Sequence, residues 1–285
     1  MRIAVLSDIH GCLIYLRKLI PKLRKADMIF IAGDITGTLS YSLILKSITR
    51  NRKISREKYA NEVYGEYLEE FTKFQISSAK RFFKIISGLK NPIFFTHGNS
   101  EVAEVRNIYL TESEKHDNIF YLDNSVCVYD KWVVAGYGFC SPASYRTSFQ
   151  TPGEKNTNAI IQDLSELEKK IKKYPREEDY IFVGLFHEPP FDTNLDYIPH
   201  KSSHGGSKEI RDHILKSNYT YIIAGHIHES PNYEISKDSF MINPGSLVNR
   251  RWSLLEHPER KVRLNKIKIP LSLKGFIYNS RPYYE

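Results

Sequence analysis

The chain has 285 residues, 41% of them hydrophobic, enough to bury a full core, which excludes a disordered chain. Its 41 Lys and Arg outnumber 33 Asp and Glu for a net charge of +8, so phosphate-bearing partners, nucleic acid included, enter as candidates, although charge alone selects none. No apolar stretch approaches the ~20 residues of a membrane span, no secretory leader precedes the first strand, and Cys12, Cys127 and Cys140 form neither a zinc-knuckle pair nor an even disulfide set. A cytoplasmic protein with reduced thiols and no membrane partner is expected.

Residues 2–7 read as a buried strand that ends at Asp8 and His10, after which Gly11 lets the chain turn away. Residues 13–25 form an amphipathic helix with Leu13, Leu16, Leu19, Ile20 and Leu23 on one face, and residues 28–32 are the next strand, leading to Asp34. Strand, helix, strand in this order implies a parallel pair with a crossover. Residues 37–58 carry Lys46, Arg50, Arg52, Lys53, Arg56 and Lys58, either a solvated loop or a lip that draws in an anionic substrate. A long helix over 59–87 follows, so 37–90 is read as an elaboration between two core strands.

Residues 92–96 return to the sheet ahead of Asn99, and 119–122, 126–129 and 132–135 are short strands. Tyr137 and Phe139 follow the last of these at the expected rim, where a ring can stack on substrate or pack in the core. Residues 159–174 are helical, and the strand at 181–186 delivers His187. Glu188, before Pro189-Pro190, either orients that histidine or lies in a surface turn. In Ser202-Ser203-His204-Gly205-Gly206-Ser207, His204 and the glycine-rich turn can approach a phosphate with backbone amides, or Ser207 can simply cap the helix at 208–215.

The strand at 221–224 runs into Gly225-His226-Ile227-His228. Strands at 233–235 and 239–242 flank a Lys237-Asp238 turn, and 252–255 and 262–269 follow. Arg250, Arg251 and Trp252 are a slender candidate for nucleic-acid contact. With no repeat or long linker, residues 1–285 are read as a single domain with a C-terminal extension from about 250. Its last stretch, 278–285, is free to pack on the core or on a second copy, so a homo-oligomer stays open.

Five strands that each end in a polar ligand are how an α/β sheet gathers distant residues at its carboxyl edge. In Asp8-Ile9-His10 and in His226-Ile227-His228 the two ligands share one face of extended chain. Mixed oxygen and nitrogen donors suit Mn, Fe, Ni, Co or Zn. Burying these carboxylates, amide and imidazoles together without a cation would carry a heavy desolvation cost.

The series SDIHG, AGDI, HGNSE, FHEPP and GHIH, with INPGSL at 242–247, resembles the calcineurin-like metallophosphoesterase superfamily and its small stand-alone phosphoesterases. The resemblance implies an α/β fold, a four-layer αββα sandwich, with two divalent metal ions at the sheet edge. It implies that Asp8, His10 and His228 hold one ion, that Asn99, His187 and His226 hold the second, and that Asp34 bridges them. A hydroxide shared by the ions would attack a phosphodiester in line. Two divalent ions against Asp8, Asp34 and the hydroxide leave about one net positive charge, which matches a monoanionic diester.

The family pattern most often carries a histidine after the asparagine, where this chain has Ser100. That histidine stabilises the phosphate and protonates the leaving oxygen, so esters with good leaving groups are expected to tolerate its loss best. His204 is the candidate replacement, His97 a weaker one. The implied activity is a metal-dependent phosphoric ester hydrolase acting on phosphodiesters, with Asp34, Asn99 and His204 catalytic and Asn99, His204 and Tyr137 contacting substrate. A metal-dependent nuclease and a catalytically weak interaction scaffold are the competing readings.

Overall fold

A computed structural model describes residues 1–36, 56–142, 151–175, 179–236 and 239–268, apart from the side chains of 56–68 and 70. Residues 2–6 alternate their side chains between two hydrophobic surroundings, and this alternation organises the molecule. In β1 (Arg2–Leu6), Ala4 and Leu6 pack against helices, whereas Ile3 and Val5 point into a second sheet. The strand is therefore apolar on both faces, as the continuous run of hydrophobic residues requires.

The first sheet has the order β14-β13-β1-β2-β3-β4, with β2 (Met28–Ala32), β3 (Ile93–Thr96) and β4 (Ile119–Tyr121) parallel to β1. β13 (Arg251–Glu256) pairs antiparallel with β1, and β14 (Lys261–Lys266) pairs with β13. The segment expected as an extension thus completes the first sheet with these two strands. The outer face is covered by α1 (Leu13–Leu23), α2 (Arg56–Ile86) and α3 (Ala103–Ser113), through Leu16, Leu19, Phe82, Phe83 and Tyr109 among others.

The second sheet has the order β11-β12-β10-β7-β6-β5. β6 (Trp132–Tyr137), β7 (Ile181–Phe186), β10 (Tyr221–Ile223) and β12 (Ser239–Asn243) run parallel, and β5 (Ser125–Tyr129) and β11 (Asn232–Ser236) pair antiparallel at the edges. α4 (Thr157–Ile171) and α5 (Lys208–Ser217) cover its outer face through Ile160, Leu164, Leu167 and Ile210. Between the sheets Phe30, Phe94, Trp132, Leu185 and Phe240 form a third core. The result is the αββα sandwich expected from sequence.

α3 was not expected. Its buried residues are Val105, Tyr109 and Ser113, a narrow stripe in an otherwise polar helix, so periodicity alone gave little signal. Helix starts follow side-chain chemistry: Asn156 accepts from the Ala159 amide at 2.9 Å to open α4, and Ser207 accepts from the Ile210 amide at 3.2 Å to open α5. A two-stranded ribbon, β8 (Tyr197–Ile198) with β9 (Ser203–His204), was also absent from the sequence reading. The basic stretch at 37–55, the Lys237-Asp238 turn and residues 278–285 lie outside the described residues, as do the side chains of Arg56 and Lys58. Among the described residues no helix is long and apolar enough to cross a membrane.

Candidate metal centre

The loops leaving β1 and β2 are joined backbone to backbone. Asp8 donates its amide to the Gly33 carbonyl at 3.1 Å, His10 to Asp34 at 2.8 Å and Gly11 to Ile35 at 2.9 Å, so Asp8, His10 and Asp34 stand side by side. The loops after β7 and β10 join them from the second sheet, with the Gly225 amide donated to the His187 carbonyl at 2.9 Å and the His226 amide to Asp8 Oδ2 at 3.0 Å. Close approach of the sheets explains two glycines. A Cβ on Gly33, whose φ is +81°, would collide with the His187 ring, and one on Gly225 would fill the place of Ser7 Oγ and the Asp8 carboxylate. Asp8, His10, Asp34 and His226 themselves have φ of 51°, 46°, 49° and 63°, a left-handed conformation that residues with side chains adopt rarely and that concentrates at functional sites.

Three overlapping groups of donors result: Asp8, His10 and His228; Asp8, Asp34 and His187; and Cys140, His187 and His226. In each the ligand atoms lie within 4.8 Å of one another. Asp34 Oδ2 sits between the ends of the cluster, 3.7 Å from His10 Nε2 and 3.5 Å from His187 Nε2. His10 Nε2 and His228 Nε2 face each other at 3.0 Å, and buried Asp8 Oδ1 lies 3.1 Å from His228 Nε2 without a hydrogen bond from any described residue.

His187 Nδ1 donates to the Ala32 carbonyl at 2.8 Å, which leaves Nε2 turned toward Asp34 and Asn99. The Asn99 amide is oriented by the same logic. Its Nδ2 donates to Thr151 Oγ1 at 2.8 Å, Thr151 donates onward to Glu154, and Asn99 Oδ1 is left 3.2 Å from His187 Nε2.

Electrostatics in the cluster are those of a site that gathers positive charge. Burial would raise the Asp8 carboxyl, but His228, His187 and His10 outweigh it and hold it at about 2. Asp34 is driven well below the carboxylate range against the same burial, chiefly by His187. Burial would lower His187, yet Asp34 and Asp8 push it up to about 10, while burial and the His187 charge press His226 down to about 3. Buried carboxylates, imidazoles and an amide oxygen, with one orphaned carboxylate oxygen, fit first-row divalent cations in that place.

His204 stands apart from these groups. Its Nδ1 is 2.7 Å from Asp196 Oδ1 and its Nε2 3.7 Å from Asp192 Oδ1, and it lines a cleft of about 530 Å³ with Asp192, Tyr197, Glu229 and Glu234. None of the residues lining this cleft belongs to the three donor groups, although one of them, Glu229, is the sequence neighbour of His228. The glycine-rich turn does not offer its amides to a ligand: Gly205 donates to the Asp196 carbonyl, Gly206 to Asp196 Oδ2 and Ser207 to the Pro189 carbonyl. Ser207 is a helix cap.

Tyr137 is placed in the core rather than at a rim. It is fully buried, packs in the second sheet's outer core and donates its hydroxyl to Asp163 at 3.1 Å. His97 is turned away from the cluster, its ring edge-on to Phe139 and its Nδ1 2.9 Å from the Tyr121 hydroxyl. Glu188 is neither in a surface turn nor bonded to His187: it is buried, accepts from the Ser141 amide at 2.8 Å and is pushed by burial to about 8. Trp252 is buried beneath α1 with Lys22 over its ring, so its indole is not presented for stacking on a base.

Several residues near the centre carried no assigned role in the sequence reading. Glu101 is fully buried and accepts from the Thr36 amide at 2.8 Å and the Gly98 amide at 2.7 Å, tying together the loops that carry Asp34 and Asn99. Asn243 donates to the Leu195 and Ile227 carbonyls, each at 3.0 Å, and Ser246 donates to the Asp8 carbonyl at 3.1 Å, which gives the INPGSL run its physical task. Cys140, expected from sequence only as a reduced thiol, is fully buried. Its place beside His187 and His226 has no sequence signal, because it follows a strand at no recognisable ligand spacing.

A family model described as calcineurin-like phosphoesterase matches residues 1–230. No curated protein sequence matches the chain significantly. Among solved structures, one crystal structure aligns with a TM-score of 0.70 at 17% identity, covering 94% of this chain and 99% of the other. TT1561 of Thermus thermophilus aligns with a TM-score of 0.58 at 18% identity, with the same coverage of 94% and 99%. At these identities the structural likeness speaks for the fold.

Proposed function

We propose that this chain, which belongs to the calcineurin-like phosphoesterase family, holds two divalent ions and hydrolyses phosphodiesters. The observation that carries the reading is the position of Asp34 Oδ2 between His10 and His187, with donors continuing on either side. Asp8, His10 and His228 would hold one ion, Asn99, His187 and His226 the second, and Asp34 both. When bound, such a pair supplies Lewis acidity toward phosphoryl oxygens and acidifies water to a nucleophile.

The chain's own groups do the rest. Asn99 Oδ1 is fixed by Thr151, and Asp34 is fixed by the Ser100 amide, which donates to Asp34 Oδ1 at 3.0 Å. The Ser100 hydroxyl is buried and has no hydrogen-bond partner among the described residues, and an alcohol is too weak an acid to take over proton donation from the family's usual histidine. His204 is the replacement we assign to that role on its chemistry: fully buried Asp196 holds Nδ1, and Nε2, 3.7 Å from Asp192 Oδ1, faces a cleft whose lining residue Glu229 follows His228 in the chain.

The cleft also bears on substrate class. Asp192, Glu229 and Glu234 line it, and these carboxylates oppose a polyanionic strand while accepting hydroxyl-rich or cationic leaving groups. A small diester is therefore favoured over nucleic acid. Turnover of an aryl phosphodiester, the matching monoester and a single-stranded oligonucleotide at several salt concentrations tests this. Faster diester turnover with weak salt dependence is expected; preferential, steeply salt-sensitive cleavage of the oligonucleotide would make the chain a nuclease, and no turnover of any would favour a scaffold.

A further inference from the structure

Cys140 lies where no strand-end ligand was expected. Its Sγ and one nitrogen each of His187 and His226 are within 4.8 Å of one another. The residue is fully buried and forms no disulfide. Its backbone is held on both sides by the segment that also clamps Asn99: Cys140 donates to the Gly153 carbonyl at 3.0 Å, Lys155 donates to the Cys140 carbonyl at 2.9 Å, and Gly153 donates to the Asn99 carbonyl at 2.8 Å. One loop thus fixes the thiol and the amide together, on the same side of the cluster.

We propose that Cys140 is an additional ligand of the ion held by His187 and His226. The inference rests on the metal centre proposed above. Zinc lies about 2.3 Å from thiolate sulfur and about 2.0 to 2.1 Å from imidazole nitrogen, so donors to one ion are separated by at most about 4.4 Å. Around one tetrahedral ion such donors stand about 3.5 Å apart, so the three atoms, within 4.8 Å of one another, come together with a closure of about 1.3 Å at most. On binding, the S–H bond breaks, the proton leaves to solvent and a sulfur–metal bond forms, with no change of oxidation state.

Two consequences follow for the centre. A soft sulfur donor selects Zn, Co or Fe over Mn and Mg at this position. The added negative charge takes the site's balance from about +1 to about zero, which disfavours a dianionic monoester more than a monoanionic diester.

Cobalt(II) loaded into the full chain reads the sulfur directly. A near-ultraviolet sulfur-to-cobalt charge-transfer band is expected in the native chain and in Cys12→Ala/Cys127→Ala, and its loss in Cys140→Ser with cobalt still bound. The double variant assigns the sulfur even where Cys140→Ser fails to fold. Full cobalt stoichiometry with visible ligand-field absorption but no charge-transfer band, or a band that survives in folded Cys140→Ser, would overturn the assignment. Failure of the native chain to bind cobalt at all would instead overturn the metal centre, and this ligand with it.

Discussion

His10 Nε2 and His228 Nε2 meet at 3.0 Å although 218 residues separate them. Two imidazole nitrogens brought together in a part-buried place, with Asp8 Oδ1 3.1 Å from one of them, make an arrangement that a shared cation would stabilise. They belong to one end of the cluster, while His187 and His226 belong to the other, with Asp34 between.

This division predicts that ions can be removed one at a time. His228→Gln should reduce bound metal from about two ions per chain to about one, as a ligand set missing one strong donor loses affinity steeply. Elemental analysis of the dialysed protein reads the ratio. An unchanged two ions would place His228 outside the ligand set.

His204→Ala should leave bound metal unchanged and slow diester hydrolysis in proportion to how poorly the leaving group departs. For an alkyl leaving group the expected loss is about 10² to 10⁴, the usual contribution of a general acid, and for a nitrophenolate much less. A plot of turnover against leaving-group pKa, for native and variant chains, displays the difference. Parallel lines would show that His204 serves the cleft without donating a proton.

Glu101 is the buried tie between the loops of Asp34 and Asn99. Truncation in Glu101→Ala leaves the Thr36 and Gly98 amides without their acceptor, each costing about 1 to 3 kcal/mol. Urea unfolding should therefore show a loss of about 2 to 6 kcal/mol, and Glu101→Gln, which keeps one carbonyl oxygen, a smaller one. Equal stability of all three chains would contradict the tie.

His213, on α5 and away from the centre, sits 2.9 Å from the Tyr219 hydroxyl, with Ser217 and the Phe186 ring beside it. Burial, with Lys216 assisting and Glu168 opposing, lowers its pKa from 6.5 to about 4. The neutral ring is the folded form, so its contribution is fully present above about 6.5 and is lost as the pH falls toward 4. At 1.36 kcal/mol per pKa unit the native chain should lose about 2 kcal/mol more than His213→Gln between pH 7 and pH 5. Parallel urea-unfolding stabilities across that range would show that His213 does not control this loss.

The sheets and the strand-end residues were legible because each metal-seeking side chain follows an apolar run, and a run apolar on both faces can only be an inner strand. Asp34 and His187 are found this way without any geometry. What sequence could not show is contact between distant segments. Glu101 reads as an ordinary acidic residue until Thr36 and Gly98 close on it, Tyr137 reads as a rim aromatic until Asp163 takes its hydroxyl, and Cys140 has no spacing that announces it. α3 escaped for a different reason, since a helix that buries only every fourth residue is nearly indistinguishable from polar loop.

The most direct measurement is hydrolysis of a chromogenic aryl phosphodiester by the native chain and by Asp34→Asn, each stripped with chelator and resupplied with Mn²⁺, Co²⁺ or Zn²⁺. The account predicts turnover that is absent without metal, restored by at least one ion, and lost in Asp34→Asn with the fold intact by circular dichroism. Turnover that persists without metal, or that Asp34→Asn retains, would contradict a two-ion centre built around Asp34.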